Sequence, residues 1–240
     1  MRHKRLKKLS YFWLIERRLA KSAALIRAVS LNEQANLQKM FKKAVCLIEN
    51  GVKVPQLAIK NLDGPLIYLF MARLHHKKGI LPLVNAWSAE NTKNSMLIIA
   101  GPDEGELENI LPIIKRTPNI QYVGAVYGDD KRQLLEKSHY YILPSYSEGF
   151  PTSVVEAMSY GLIPIISPEC NFAAVFENKL GYCVYPREEN IRKVLRVILD
   201  KEFDVSLSER NRQFVVNNNS EEFIGSQFAA LYRDMLETKL

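Results

Sequence analysis

Residues 148–158 read Glu148-Gly149-Phe150-Pro151-Thr152-Ser153-Val154-Val155-Glu156-Ala157-Met158 and follow an apolar run at residues 140–143. The apolar run is typical of a buried strand, and the pattern after the loop predicts a helix that begins near Thr152 or Ser153. A loop entering a helix offers unpaired backbone N–H groups and the positive end of the helix dipole, which suit phosphate. Ionised Glu148 and Glu156 are acceptors that suit neighbouring sugar hydroxyls. Phosphate together with vicinal hydroxyls indicates a sugar nucleotide as the ligand.

These two carboxylates also have a purely structural interpretation. Ser153-x-x-Glu156 matches a capping box, in which Glu156 would bond the backbone at the start of its own helix. Glu148 would then be a solvated acid in a loop. The residues of this stretch leave both alternatives open.

Short apolar segments alternate with helical patterns along most of the chain. Strands are predicted at residues 24–29, 45–48, 66–71, 96–100, 120–123, 140–143, 163–167 and 182–185. Helices are predicted at residues 9–22, 30–42, 79–90, 104–116, 129–138, 152–160, 173–177, 190–200, 206–216 and 221–237. The alternation predicts an α/β fold with a parallel sheet covered on both faces. Arg73, Gly101, Gly124 and Glu148 each follow a predicted strand, so we expect them along the ligand-binding edge of the sheet.

Three local signals refine this organisation. Ser30-x-x-Glu33 is a second capping box and sets the start of the helix at residues 30–42. Asn50-Gly51 predicts a turn, and residues 56–64 have the composition of a linker.

Residues 147–167, SEGFPTSVVEAMSYGLIPIIS, resemble the E-x7-E signature of the retaining glycosyltransferases of family 4, which have the GT-B fold. Four more segments resemble that family in the same order: FMARLHHKKG at 70–79, SMLIIAGPDEGELE at 95–108, NIQYVGAVYGDDKRQLLEKSHYYILPS at 119–145 and ISPECNFAAVFENKLGYCV at 166–184. The likeness extends from about Ser30 to the C-terminus. It implies a Rossmann-like parallel sheet flanked by helices, as in the C-terminal, donor-binding half of a GT-B enzyme.

The resemblance also implies roles for individual residues. The catalytic residues would be Arg73, Lys78 and Glu148, where the two cations stabilise a departing diphosphate without a metal and Glu148 holds a hydroxyl of the transferred sugar. The donor-binding residues would be Gly101, Val126, Tyr127, Gly149, Phe150, Pro151, Thr152 and Glu156. Glu156 would hold the ribose hydroxyls, and no cofactor is implied besides the nucleotide-diphosphate sugar as donor substrate. The alternative for Arg73 and Lys78 is that they are ordinary surface cations.

Two positions depart from the common pattern of that family. Pro151 stands where many members have glycine and removes one backbone N–H donor from the loop. Ala72 stands where the strand usually ends in glycine, so we expect a tighter approach of the diphosphate there.

The resemblance divides the chain into three parts. Residues 1–53 would be a remnant of the N-terminal acceptor domain, residues 54–216 the donor-binding domain, and residues 217–240 a helix that crosses back to the N-terminal domain. A length of 240 residues suits one large domain, so we expect most of the acceptor domain to be absent. The expected function is retaining, metal-independent hexosyl transfer in bacterial surface polysaccharide or lipopolysaccharide synthesis. The alternatives are a non-catalytic nucleotide-sugar binding module, a truncated remnant and, less favoured, a sugar-nucleotide epimerase.

Charge is unevenly distributed. The net charge is +7, yet residues 1–43 hold twelve Lys or Arg against Glu16 and Glu33. Such a basic arm, which contains the apolar residues 11–15, is typical either of a segment on an anionic membrane surface or of a solvated tail. A separate acceptor-domain subunit and self-association are further candidate partners. Nucleic acid is not expected, because no base-stacking motif accompanies the charge.

Cysteine usage and hydropathy favour a cytoplasmic setting. Cys46, Cys170 and Cys183 are odd in number and lack metal-ligand spacing, which favours reduced thiols. The apolar stretch at residues 11–15 is too short for a signal-peptide core, and no apolar run has the length of a membrane span. We therefore expect a cytoplasmic protein, with peripheral attachment to the inner face of the membrane as the alternative.

Overall fold

The computed structural model describes residues 11–56, 60–90, 92 and 94–237, without the side chains of Phe12 and Trp13. The chain divides into two units, one that ends at Glu49 and one that begins at Asn50. The larger unit contains the whole E-x7-E segment. The first ten residues of the predicted basic arm lie outside the described residues.

Six parallel strands form the sheet of the larger unit. They are β3 (Leu66–Met71), β4 (Ser95–Ala100), β5 (Ile120–Tyr122), β6 (Tyr140–Leu143), β7 (Ile163–Ile166) and β8 (Tyr182–Cys183), and their order is β5-β4-β3-β6-β7-β8. Every residue of β6 and β7 is buried. Continuous apolar strands of this kind are required where helices cover both faces of a sheet. The predicted α/β fold with a Rossmann-like parallel sheet is confirmed.

The strand order reverses between β3 and β6. Tyr68 and Leu69 of β3 pair in parallel with Tyr140 and Tyr141 of β6, although about seventy residues separate them in sequence. From β3 the chain runs outward to β4 and β5, and from β6 it runs outward to β7 and β8. The loops at the carboxyl ends of β3 and β6 therefore leave in opposite directions and open a crevice, which is where doubly wound sheets bind ligands.

Helices cover the sheet and bury its side chains. They are α3 (Ile80–Ser88), α4 (Leu107–Arg116), α5 (Gly128–Lys137), α6 (Thr152–Ser159), α7 (Ala174–Glu177), α8 (Glu188–Leu199), α9 (Val205–Asn218) and α10 (Glu221–Glu237). Tyr68 lies near the middle of the core. Its ring stacks on Tyr140 at 4.5 Å and meets Trp87 of α3 edge-on at 5.0 Å, measured between ring centroids. Aromatic pairs in these geometries add to the stabilisation that burial already supplies.

The smaller unit contains one β-α-β element. A π-helical turn (Phe12–Glu16) leads into α1 (Arg17–Ser22), and β1 (Ile26–Ala28) pairs in parallel with β2 (Val45–Leu47). Between the strands, α2 (Leu31–Phe41) begins at the predicted cap, where Ser30 Oγ accepts from the Glu33 amide at 3.3 Å. The Glu33 carboxylate accepts from the Val29 amide at 2.8 Å, one residue before the position that a standard capping box uses.

Two local predictions are wrong. The helix predicted from residue 104 begins at Leu107, because the Asp103 carboxylate accepts hydrogen bonds from the amides of Gly105 and Glu106, which lie before the helix, and from the amide of Leu107, its first residue. Asn50 and Gly51 do not form the predicted turn; they are irregular and precede a parallel bridge between Val52 and Ser220. None of the helices in the described part of the chain combines the length and hydropathy that crossing a membrane demands.

Candidate active site

The loop that follows β6 is held in place from two sides. Ser145 Oγ and the Tyr146 amide both donate to the Lys77 carbonyl, at 2.9 and 2.7 Å. The Glu148 amide donates to the Glu169 carbonyl at 2.9 Å. These contacts tie the loop to the 3₁₀ turns His76–Lys78 and Pro168–Cys170, which follow β3 and β7. Glu148 therefore has a defined backbone position at the switch point of the sheet.

Lys78 and Glu148 form a close ion pair across this switch point. Lys78 Nζ lies 2.6 Å from Oε1 and 2.7 Å from Oε2 of Glu148, and the two side chains are only 16% and 12% exposed. Gly79 follows with a φ of +68°, and a Cβ at this position would lie 2.0 Å from the Pro144 carbonyl oxygen. Only glycine permits this approach, which explains why glycine follows Lys78 in the sequence.

The amino end of α6 carries free backbone donors. The helix begins at Thr152, as predicted, and Pro151 occupies the N-cap position without a side-chain cap. Within the described part of the chain, no hydrogen bond uses the amides of Gly149, Phe150 and Ser153. Unpaired amides and the helix dipole make this end attractive to an anion. Pro151 itself contributes no donor, as its residue type requires.

The capping-box interpretation of Ser153 and Glu156 is wrong. Ser153 lies inside the helix, after Thr152, near Tyr141, whose hydroxyl donates to the Met71 carbonyl at 2.7 Å and whose pKa is raised by burial. The Glu156 carboxylate instead lies 2.6 Å from Lys131 Nζ of α5, and these side chains are 25% and 35% exposed. Glu156 is thus directed away from its own helix start and available at the surface.

Two adjoining cavities lie along the carboxyl ends of the strands. The first has a volume of about 240 Å³, and its lining includes Arg73, Gly101, Val126, Tyr127, Lys131, Ser153 and Glu156. The second has a volume of about 530 Å³ and is lined by Arg73, His75, Lys77, Lys78, Glu104, Ser147, Glu148 and Gly149. Arg73 lines both cavities and therefore stands where they meet. Its Nη1 lies 2.8 Å from both carboxylate oxygens of Glu104.

Gly101 sets the floor of the first cavity. It has a φ of +143°, and a Cβ would lie 1.9 Å from the Ala72 carbonyl oxygen. The ends of β3 and β4 can approach this closely because position 101 has no side chain. Gly124 continues the same edge, since its carbonyl accepts from the Gly101 amide at 2.8 Å.

Most residues proposed from the sequence come together at this edge. Eight of them line one or both cavities: Arg73, Lys78, Gly101, Val126, Tyr127, Glu148, Gly149 and Glu156. Three do not. The Phe150 ring packs edge-on against Phe172 at 5.6 Å, Pro151 is buried, and Thr152 Oγ1 accepts from Asn50 Nδ2 at 3.2 Å.

Sequence reasoning missed two charged residues of this site, Lys131 and Glu104. Lys131 stands four positions after Tyr127, which is the helical spacing that brings two residues to one face. Glu104 stands in the glycine turn after β4. Their pairing partners, Glu156 and Arg73, lie on other elements, so no pattern within either segment identifies the contacts. In the described ranges, no three His, Cys, Asp or Glu side chains are grouped so that they could hold a metal ion.

A comparison with protein families identifies the larger unit. The profile described as "Glycosyl transferases group 1" matches residues 56–214. The chain belongs to this family. The matched segment contains both carboxylates of the E-x7-E stretch and every residue that lines the two cavities.

Curated relatives extend well beyond the part that matches this chain. It is 30% identical over 132 residues to an N,N'-diacetylbacillosaminyl-diphospho-undecaprenol alpha-1,3-N-acetylgalactosaminyltransferase of Campylobacter jejuni, covering 55% of this chain and 34% of the relative. It is 29% identical over 161 residues to a GDP-mannose:cellobiosyl-diphosphopolyprenol alpha-mannosyltransferase of Xanthomonas campestris, covering 62% of this chain and 42% of the relative. The chain thus matches 34% and 42% of the length of these two relatives.

Solved glycosyltransferases share its fold. Sucrose-phosphate synthase from Thermosynechococcus elongatus superposes with a TM-score of 0.79 at 21% identity, covering 94% of this chain and 61% of that one. HepE of Anabaena, solved with UDP and glucose, superposes with a TM-score of 0.76 at 17% identity, covering 92% of this chain and 66% of that one. The chain has the fold of a GT-B type domain.

Proposed function

We propose that this chain is the donor-binding half of a retaining family 4 glycosyltransferase and that it binds a nucleotide-diphosphate sugar across the two cavities. The observation that carries the proposal is their arrangement. A carboxylate stands in each cavity, Glu156 in one and Glu148 in the other, and the cation Arg73 stands where they meet. A ligand with hydroxyl groups at both ends and a diphosphate between them matches this order of charges.

Each part of the donor then has a defined place. The nucleobase lies against Val126 and the exposed ring of Tyr127, and the ribose hydroxyls bind Glu156. The diphosphate lies at Arg73 and Lys78, near the free amides of the α6 terminus. The transferred sugar lies at Glu148 and Gly149. Gly101 allows the close backbone approach that leaves room for this chain of groups.

The same residues supply the chemistry of donor cleavage. Negative charge develops on the leaving diphosphate, and two cations with preorganised amides stabilise that charge most in a site with little water. The Arg73 guanidinium presents a planar fork, whereas the Lys78 ammonium is a point charge. We propose that these groups act in place of a divalent metal. Because the Glu148 carboxylate lies against Lys78, a sugar hydroxyl at Glu148 and a phosphate oxygen at Lys78 would belong to adjoining groups of one donor.

The acceptor half is proposed to lie outside the donor-binding unit. Residues 54–216 would bind the donor, residues 1–53 would belong to the acceptor side, and residues 217–240 would form the helix that returns to it. The curated relatives act on diphosphopolyprenol-linked sugars, as their names state, and extend well beyond the matched segment. We therefore propose hexosyl transfer to a lipid-linked acceptor in surface polysaccharide synthesis, with a partner chain or further residues completing the cleft.

A non-catalytic nucleotide-sugar binding module is the second candidate function. It is favoured by the completeness of the donor edge within one unit, because binding of the donor does not require an acceptor domain. Transfer does require one, since catalysis by positioning needs both substrates held together. The two candidates therefore differ in turnover and agree in donor binding.

Calorimetry on the purified chain tests the proposal. UDP, GDP and ADP and their sugar derivatives are titrated into protein whose folding is checked by circular dichroism. At least one nucleoside diphosphate should bind, Arg73→Gln should weaken that binding, and Arg116→Gln, the same change at an exposed position on α4, should not. If the protein is folded and none of these ligands gives a heat of binding, donor binding is rejected. Transfer of sugar to lipid-linked or oligosaccharide acceptors by the chain alone would reject the need for a separate acceptor half.

A further inference from the structure

Arg73, the cation shared by the two cavities, is already occupied by a carboxylate. Its Nη1 contacts both oxygens of Glu104 at 2.8 Å. Glu104 lines the second cavity together with Lys78 and Glu148. A carboxylate at this point occupies the position where, under the proposed function, a diphosphate oxygen would bind the guanidinium.

The backbone around Glu104 fixes this arrangement. The Glu104 amide donates to the Leu74 carbonyl at 3.1 Å, and the Leu74 amide donates to the Pro102 carbonyl at 2.8 Å. Beside it, the Asp103 carboxylate accepts the amides of Gly105, Glu106 and Leu107, and these bonds, led by that of Leu107, hold the pKa of Asp103 below its usual value. The loop that carries Glu104 is therefore braced against the end of β3, next to Arg73 itself. Rotation of the side chain can release Arg73, but the carboxylate remains close to the site.

Among the three ion pairs that the structure describes at this edge, the pair of Arg73 and Glu104 is the one most easily opened. Its side chains are 60% and 36% exposed, against 16% and 12% for Lys78 and Glu148 and 35% and 25% for Lys131 and Glu156. Exposed pairs contribute little net stability because water competes for both partners. A diphosphate can therefore displace Glu104 from Arg73 at small cost, whereas the buried pair resists opening.

We infer that Glu104 is a built-in competitor of the diphosphate for Arg73, and that it favours release of the nucleoside diphosphate product over release of the intact donor. This inference rests on the proposed function of the cavities. When ligand is bound, the displaced carboxylate repels it in proportion to the ligand's negative charge. At pH 8 a free nucleoside diphosphate carries about three negative charges and its sugar ester about two, because a terminal phosphate loses its last proton near pH 6. The product is therefore repelled more strongly than the donor.

The size of the effect follows from Coulomb's law. For charges about 6 Å apart in water-like surroundings, removing one carboxylate charge changes binding by about threefold for each charge on the ligand. Glu104→Gln keeps the shape of the side chain and still offers a carbonyl oxygen that can accept a hydrogen bond, but it removes the negative charge. Glu104→Gln should tighten the binding of both the nucleoside diphosphate and the nucleotide sugar. The affinity for the nucleoside diphosphate should rise by about three times more, because it carries one more negative charge.

The test compares the wild-type chain, Glu104→Gln and the control Glu108→Gln by calorimetry at pH 8. Glu108 is exposed in the first turn of α4 and lines neither cavity, so its replacement makes the same change in net charge. The ligands are UDP, GDP and ADP with their glucose or mannose esters, at low salt and again in 0.5 M NaCl, where screening should shrink the gain. Thermal unfolding confirms that all three proteins are folded.

The outcomes separate the inference from the proposed function on which it rests. The inference is supported if Glu104→Gln, but not Glu108→Gln, binds more tightly than the wild-type chain and if the gain in affinity is larger for the nucleoside diphosphate than for its sugar ester. Unchanged or weaker binding by this variant, or an equal gain in Glu108→Gln, overturns it while leaving donor binding intact. An equal gain for diphosphate and sugar overturns the discrimination between product and donor. Absence of binding by the wild-type chain rejects the proposed function, and the inference fails with it.

Discussion

Gly101 shows how one residue without a side chain shapes the carboxyl edge of the sheet. Two separate features favour glycine at this position. Its φ is +143°, and an added Cβ would lie 1.9 Å from the Ala72 carbonyl oxygen. Gly101→Ala should therefore lower the free energy of unfolding by more than the roughly 1–3 kcal/mol that an unfavourable backbone conformation costs. Urea denaturation of the variant measures this loss.

Gly105 is the matched control for that substitution. It also has a positive φ, of +102°, but no atom lies within 4 Å of the Cβ that alanine would add. Gly105→Ala should therefore lower the free energy of unfolding only by the cost of the unfavourable backbone conformation. If the two variants lose the same amount, the close approach of β3 and β4 does not constrain position 101.

Glu156 gives the second prediction at the residue scale. Because Glu156 pairs with Lys131 and does not cap its helix, Glu156→Ala should lower the free energy of unfolding by less than about 1 kcal/mol, as exposed ion pairs do. As the proposed ribose ligand, it should weaken nucleoside diphosphate binding by about 1.5–3 kcal/mol, the range for hydrogen bonds to charged groups. Chemical denaturation and calorimetry measure the two quantities separately.

Glu136→Ala controls for the loss of a half-exposed carboxylate in the same region. Glu136 pairs with Arg132 within α5 at 2.9 Å and has a similar exposure to Glu156. Its replacement should leave nucleotide affinity unchanged. A large loss of stability in Glu156→Ala with unchanged affinity would contradict the ribose-binding role.

At this scale the sequence predicted positions better than contacts. Glu148, Arg73 and Lys78 each follow a strand, and the structure places them at one edge. The choice between a capping box and a free carboxylate at Glu156 could not be made from the sequence, because it depends on Lys131 of a neighbouring helix. The pair of Arg73 and Glu104 was missed for the same reason, since residues that meet only after folding leave no local pattern.

His139 links three segments and makes stability depend on pH at the scale of elements. It stands just before β6, where Nδ1 accepts from the Ile67 amide of β3 at 3.0 Å and Nε2 lies 2.9 Å from the Asn61 carbonyl oxygen. The Ile67 bond requires a neutral ring, and burial lowers the pKa of His139 below its usual value. The unfolded chain therefore binds a proton at a higher pH than the folded chain does.

The sign of the pH dependence follows from this difference. The stabilisation is present above the unfolded pKa, about 6.5, and is lost as the pH falls from there toward the folded pKa. The wild-type chain should lose up to about 1.4 kcal/mol of unfolding free energy per pH unit more than His139→Gln, whose amide can still accept and donate. Urea denaturation between pH 7 and pH 5 measures both slopes. Parallel slopes in the two proteins would contradict a neutral, buried His139.

Elements were predicted from hydrophobic periodicity more reliably than their arrangement was. Every predicted strand and helix has a counterpart within the described residues, and β3 and β6 match their predicted bounds. The order of the six strands was not predictable, because many orders are compatible with the same alternation of strands and helices. The short 3₁₀ turns at His76–Lys78 and Pro168–Cys170 were also missed, since three residues are too few to show periodicity.

At the scale of the whole molecule, the smaller unit exposes several large apolar side chains. Tyr11, Leu14, Ile15 and Leu19 are between 43% and 63% exposed, beside a sheet of two short strands. Apolar patches and open strand edges are association sites. We predict that the full chain self-associates or binds anionic vesicles, and that removal of residues 1–20 reduces both while nucleotide affinity is retained. A monomeric full chain in light scattering that also ignores anionic vesicles would show that this segment is a solvated tail.

The reversal of strand order between β3 and β6 has a consequence for the way the two cavities form during folding. Lys78 and Glu148 are 70 residues apart in sequence, yet their contact bridges the two halves of the sheet. Each half can form through short crossovers, whereas joining the halves closes a long loop, an entropic step that slows folding. After dilution from denaturant, the binding of a nucleoside diphosphate should therefore return later than the helical circular dichroism signal. A chain interrupted after β5 would lack Glu148 and Glu156, so the proposed donor site would be incomplete.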